Sequence, residues 1–126
     1  MKSKKIKPTE SEIEILKILW DKESATVKEV NEILNKIKPV GYTTTLKLMQ
    51  IMHEKGILSR TQSGRSHIYT PEIEEKETRK FMMNKLMDTL FGGSAKEMVM
   101  QALGNHKPSK EELDEIRSLI DKMEKE

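Results

Sequence analysis

Apolar residues recur at intervals of three and four along most of the chain. Ile13, Leu16, Leu19 and Trp20 share one side of a helix running from about Glu10 to Asp21. Val27, Val30, Leu34 and Ile37 do the same for a second helix from Val27 to about Ile37, which Pro39 and Gly41 end with a turn. A third helix is expected from about Thr43 to Lys55, with Gly56 in the left-handed C-terminal position. The period then changes. Ile57 to Gln62 and Ser66 to Tyr69 read as short strands around Ser63, Gly64 and Arg65, a small hairpin with a glycine tip, and Pro71 closes the module. Helical spacing returns at about Glu74 to Leu90, Ala95 to Leu103 and Lys110 to Glu126, separated by Gly92-Gly93 and Lys107-Pro108.

Helix starts are marked independently. Thr9, Thr26, Ser94 and Ser109 each stand three residues before a glutamate (Glu12, Glu29, Glu97 and Glu112), and each opens an amphipathic stretch. In such a capping box the hydroxyl accepts from the third backbone N–H while the carboxylate reaches back to the cap. The order helix, helix, helix, hairpin is that of a winged helix-turn-helix. The expected fold class is therefore mainly α, with a small β-hairpin wing followed by a helical dimerisation arm. Residues 1–71 form the expected DNA-binding domain and residues 72–126 the helical dimerisation region. The last helix spaces Leu113, Ile116, Ile120 and Met123 as a short seam. Together with Phe81, Leu86 and Leu90, these are too many apolar groups for isolated helices to hide, which predicts a homodimer.

Composition supports this division. Hydrophobic and charged residues each make up 35% of the 126 residues and aromatic residues 4%, a polar balance for a monomer with one core of its own. Residues 1–71 carry 13 Lys and Arg against 8 acids, a net +5; residues 72–126 carry 10 against 13, a net −3. Only the front half is suited to meet a polyanion. The absence of cysteine excludes disulfides and thiolate metal sites and suits a reducing compartment. The basic start Met1 to Lys7 is followed by no apolar run, so it is read as no secretory signal. With no apolar run long enough to span a bilayer, membrane insertion is not expected and a cytoplasmic location is.

The third helix carries the candidate chemistry. Thr45, Leu48, Met49 and Met52 cluster in one sector at 100° per residue, with Thr43, Lys47, Gln50 and Glu54 opposite. A hydroxyl, an ammonium and an amide at Thr43, Lys47 and Gln50 are groups that reach base edges in the major groove of double-stranded DNA. Most polar helix faces only meet water, but those are rich in Glu and Lys, as the last helix is. Tyr42-Thr43-Thr44 is small and weakly charged. The hairpin adds Arg60, Arg65, Ser66 and His67 around the tip Ser63-Gly64, where cations and backbone amides suit phosphate or minor-groove contact. A winged helix used only for protein interaction predicts an apolar third-helix face or an acidic wing, and neither is present. A regulator controlled by a ligand or protein partner is the other alternative, although the rear half is thin for a pocket.

Other chemistry finds little footing. The nine methionines fall mostly on helical faces, which suits packing. His53, His67 and His106 lie in three separate elements without paired-ligand spacing, so neither metal nor cofactor is expected. No nucleophile elbow, phosphate loop or paired carboxylates in an apolar setting point to an enzyme.

At these residues a family resemblance becomes specific. Gly41-Tyr42-Thr43-Thr44-Thr45-Leu46, Glu54-Lys55-Gly56 and Gly64-Arg65-Ser66-His67-Ile68-Tyr69-Thr70-Pro71 resemble the penicillinase and methicillin-resistance repressor family. Leu90-Phe91-Gly92-Gly93-Ser94 and Glu112-Leu113-Asp114-Glu115-Ile116 resemble its rear half. The resemblance, from about Thr9 to Met123, implies a homodimeric winged-helix repressor of an operon for antibiotic resistance or copper handling. It also implies release by a single cut in the fifth helix, near Gln101-Ala102, with a membrane metalloprotease receptor as partner. Three departures stand out. Copper-responsive members end in cysteine pairs, absent here. Members inactivated by proteolysis have Asn-Phe where this chain has Gln101-Ala102, and Ile51 stands where many relatives have a polar or basic residue.

Overall fold

The computed structural model describes residues 7–126. The stretch Met1 to Lys7, read above as no secretory signal, lies outside the described residues except for Lys7. Among the described residues, six helices and one hairpin follow in the order α1 (Glu10–Lys22), α2 (Val27–Leu34), α3 (Tyr42–Glu54), β1 (Leu58–Ser63), β2 (Ser66–Pro71), α4 (Glu75–Phe91), α5 (Ala95–Asn105) and α6 (Lys110–Glu124). This is the winged helix-turn-helix order followed by helices. The chain divides into two compact units, one ending at Arg79 and the other running from Lys80 to Glu126.

In the first unit, α1 and α2 begin at full capping boxes. The Thr9 and Thr26 hydroxyls accept from the Glu12 and Glu29 N–H groups at 3.2 Å, and both carboxylates accept in return from the cap N–H at 2.9 Å. Glu12 does more than close its box. With its side chain only 3% exposed, it accepts from Lys55 Nζ through both oxygens at 2.9 Å, tying the start of α1 to the end of α3. The core between the three helices and the hairpin gathers Ile15, Leu16, Leu19, Val30, Met49, Met52, Ile57, Leu58 and Tyr69.

The hairpin pairs Leu58 with Pro71 through Ser63 with Ser66, leaving Gly64 and Arg65 as a two-residue turn. Gly64 has φ +63°, which meets the type II′ requirement for a positive φ at the first turn position. A further pairing was not foreseen from sequence. Ala25, between α1 and α2, exchanges both backbone hydrogen bonds with Tyr69, at 2.9 and 3.1 Å. The wing is thereby joined to the helices through main chain as well as through the buried Tyr69 ring. Gly56 has φ +84°, the left-handed residue expected after the third helix.

One expectation is corrected. The second helix stops at Leu34, before Ile37. Beyond it the Lys36 and Ile37 N–H groups bond three residues back, to Ile33 and Leu34, and the Lys38 N–H returns to Leu34 as well. This tightened turn carries Ile37 out of the core, 73% exposed. Past the hairpin, the Trp20 Nε1–H donates to the Ile73 carbonyl at 2.9 Å and Thr78 is buried, so the first unit takes in the opening turn of α4.

The second unit is built differently. None of residues 80–126 is buried, and Met83, Leu86, Leu90, Val99, Met100, Leu119, Ile120 and Met123 are exposed. Ser109 caps α6 with a full box. The Ser94 box closes on one side only. Its hydroxyl accepts from the Glu97 N–H at 3.1 Å, but its own N–H donates to Phe91 across the Gly92-Gly93 turn.

Candidate nucleic-acid interface

The amphipathic character of α3 fixes which of its faces is outward. Thr45, Met49 and Met52 are fully buried and Leu48 half-buried, so Thr43, Lys47, Gln50 and Glu54 on the opposite side stand in solvent. Tyr42, at the first helical position, is 51% exposed on the flank toward the wing.

Between α3, the start of α2 and the wing lies a cleft of about 160 Å³. It brings together Tyr42 and Gln50 with Arg65, Ser66 and His67, and adds Thr26 and Lys28 of α2. Among the described residues no carboxylate lines it, and Lys28 and Arg65 are its fixed charges. Thr43 and Lys47 stand on the open face beside it. Thr44 belongs to the other flank, lining a separate cleft of about 120 Å³ with Ser11, Glu14, Lys38 and Leu48.

Within the wing the cations differ. Arg65 is exposed at the tip, where the Gln62 amide donates to the Gly64 carbonyl at 3.1 Å and braces the turn. Arg60 is half-buried on β1, and its Nη1 donates to the Tyr69 hydroxyl at 3.4 Å. His67, half-buried, meets the Tyr69 ring edge-on at 6.3 Å. Tyr69 therefore supports two wing side chains while its ring fills the core.

Sequence reasoning missed Thr26 and Lys28. The capping box marked Thr26 as a helix start, but periodicity says nothing about which element that start faces. In the second unit, Phe81, Leu113 and Ile116 are half-buried and Leu86, Leu90, Ile120 and Met123 exposed, on α4 and α6. Gln101 and Ala102 are exposed on α5. No helix among the described residues is long and apolar enough to cross a membrane.

A family model described as penicillinase repressor matches residues 8–122. The chain belongs to the penicillinase repressor family. Within the family it is 24% identical over 125 residues to the penicillinase repressor of Staphylococcus aureus, covering 99% of both chains. It is 26% identical over 113 residues to the penicillinase repressor of Bacillus licheniformis, covering 90% of this chain and 88% of that one. Among solved structures it is similar to the solution structure of the DNA binding domain of the repressor BlaI. The TM-score is 0.52 at 29% identity, over 60% of this chain and 90% of that domain.

Proposed function

We propose that the chain is a DNA-binding transcriptional repressor that reads a near-palindromic operator as a homodimer and controls genes of antibiotic resistance. The observation that carries this reading is the cleft between α3, the start of α2 and the wing, which gathers Tyr42, Gln50, Lys28 and Arg65 and is lined by no carboxylate among the described residues. Family membership, and relatives whose names and titles describe repressors and a DNA binding domain, support the class.

On this reading Thr43, Lys47 and Gln50 meet base edges in the major groove. Tyr42 and Thr44 flank them, and Arg65, Ser66 and His67 contact phosphate or the minor groove from the wing. Lys28 adds a phosphate contact from α2. Arg60 acts near the backbone while holding Tyr69 in place. The second unit joins two protomers through the apolar residues of α4 and α6. Tethering two weak half-site interactions raises affinity by orders of magnitude. A cut in α5 near Gln101-Ala102, by a membrane metalloprotease receptor, therefore releases the operator without disturbing one base contact. The exposure of α5, in a unit without buried residues, supports local opening to a protease.

Selection from a random pool of duplexes tests the reading. Lys47→Ala and Gln50→Ala are expected to change the selected sequence, and Arg65→Ala to weaken binding to all duplexes alike. An unchanged selected sequence in both α3 variants would overturn it.

A further inference from the structure

Reading bases with α3 depends on where that helix is held, and its own cap does not hold it. Thr9 and Thr26 cap α1 and α2 with side-chain hydrogen bonds, whereas the α3 cap is Gly41 and contributes none. The connection from α2, residues 35–41, is also long for a helix-turn-helix, where about 3–4 residues are usual. Its first N–H groups, on Asn35, Lys36, Ile37 and Lys38, fold back onto α2, and Pro39 has none to give.

Asn31 of α2 and Asn35, the first residue beyond it, take over. Val40, immediately before the Gly41 cap, donates its N–H to Asn35 Oδ1 at 3.1 Å. Its carbonyl accepts from Asn35 Nδ2 at 2.9 Å and from Asn31 Nδ2 at 3.1 Å. Asn31 Nδ2 reaches further, donating to Thr45 Oγ1 at 2.8 Å in the first turns of α3. Thr45 is fully buried, and its hydroxyl donates on to the Gly41 carbonyl at 3.4 Å. Asn35 Nδ2 also donates to the Asn31 carbonyl at 2.8 Å, with Asn31 Oδ1 at 3.3 Å, so the two residues brace each other.

We infer that Asn31, Asn35 and the Thr45 hydroxyl are positioning residues for base readout, an inference that rests on the function proposed above. They touch no DNA. They fix the start of α3, and through it the placement of Thr43, Lys47 and Gln50. Hydrogen bonds to base edges weaken steeply with distance and angle. A long cationic side chain on a phosphate tolerates a displaced anchor, because it acts as a point charge. Loosening this network therefore costs sequence discrimination while leaving general affinity for DNA in place.

The test uses the full chain with two probes, the duplex that the unaltered chain selects from a random pool and a scrambled duplex of equal length. Thr45→Val keeps the shape and removes the hydroxyl; Thr45→Ser keeps the hydroxyl. Thr45→Val and Asn31→Ala are expected to lower the ratio of selected to scrambled affinity about tenfold, the worth of one base contact. Affinity for the scrambled duplex and its salt dependence should stay unchanged, and Thr45→Ser should keep the ratio. Asn35 is exposed. Asn35→Ala thus keeps a folded comparison in hand, and it should lower the ratio too. An unchanged ratio in Thr45→Val and Asn35→Ala would overturn the inference. So would an equal loss on both probes together with a lowered melting temperature, because that is what a purely structural role gives. An unaltered chain with no preference between duplexes would instead refute the underlying function, and this inference with it.

Discussion

Glu23 ends α1 at φ +76° and ψ −38°, a conformation that side chains with a Cβ rarely adopt. Its N–H donates to the Leu19 carbonyl at 2.7 Å, so the helix closes there at the expense of local strain. Strain of this kind costs of order 1–3 kcal/mol, partly offset in any glycine variant by the freer unfolded chain. Glu23→Gly is expected to stabilise the first unit by about 0.5–1 kcal/mol, read from the shift in urea midpoint. A destabilised variant would mean that the Glu23 side chain contributes more than its backbone loses. The cations of the wing are likewise not interchangeable. Arg65 stands free of the sheet at the tip, whereas Arg60 is half-buried and engaged with Tyr69.

Among the elements, capping boxes that look alike in sequence differ in what they hold. Thr9 closes both hydrogen bonds of its box, and its partner Glu12 is buried against Lys55. Ser94 closes one, because the Gly92-Gly93 turn hands its N–H to Phe91. Thr9→Ala is expected to cost about 1–2 kcal/mol and Ser94→Ala about 0.5 kcal/mol, within the range for caps. Thermal unfolding of both variants checks the order, and equal losses would contradict it. Helix starts, the outward face of α3 and the glycine tip of the wing were legible because local chemistry fixes them within a few residues. The end of α2 was not. Ile37 continues the apolar spacing, yet the asparagine-held turn removes it from the core, and that turn depends on Val40 and Thr45 further along. The pairing of Ala25 with Tyr69 and the approach of Lys28 to the wing were hidden for the same reason, since both join residues distant in sequence.

At the scale of the whole molecule, the two units meet opposite requirements. The first buries a core of its own, while the second leaves large apolar side chains in water along α4, α5 and α6. Helices this short are marginal alone, which makes association of two chains the expected solution. Ile116→Asp combined with Ile120→Asp should halve the mass seen by sedimentation; an undiminished dimer would place the interface elsewhere. A dimer of this kind is expected to read two half-sites about one helical turn of DNA apart. The most direct test of the central claim is a fluorescence-anisotropy titration of the full chain against its selected duplex and a scrambled one across increasing salt. The selected duplex should bind more tightly, with log affinity falling linearly with log salt as phosphate counterions are released. No binding to either duplex even at about 50 mM salt, where such contacts are far stronger than at about 200 mM, would contradict the claim.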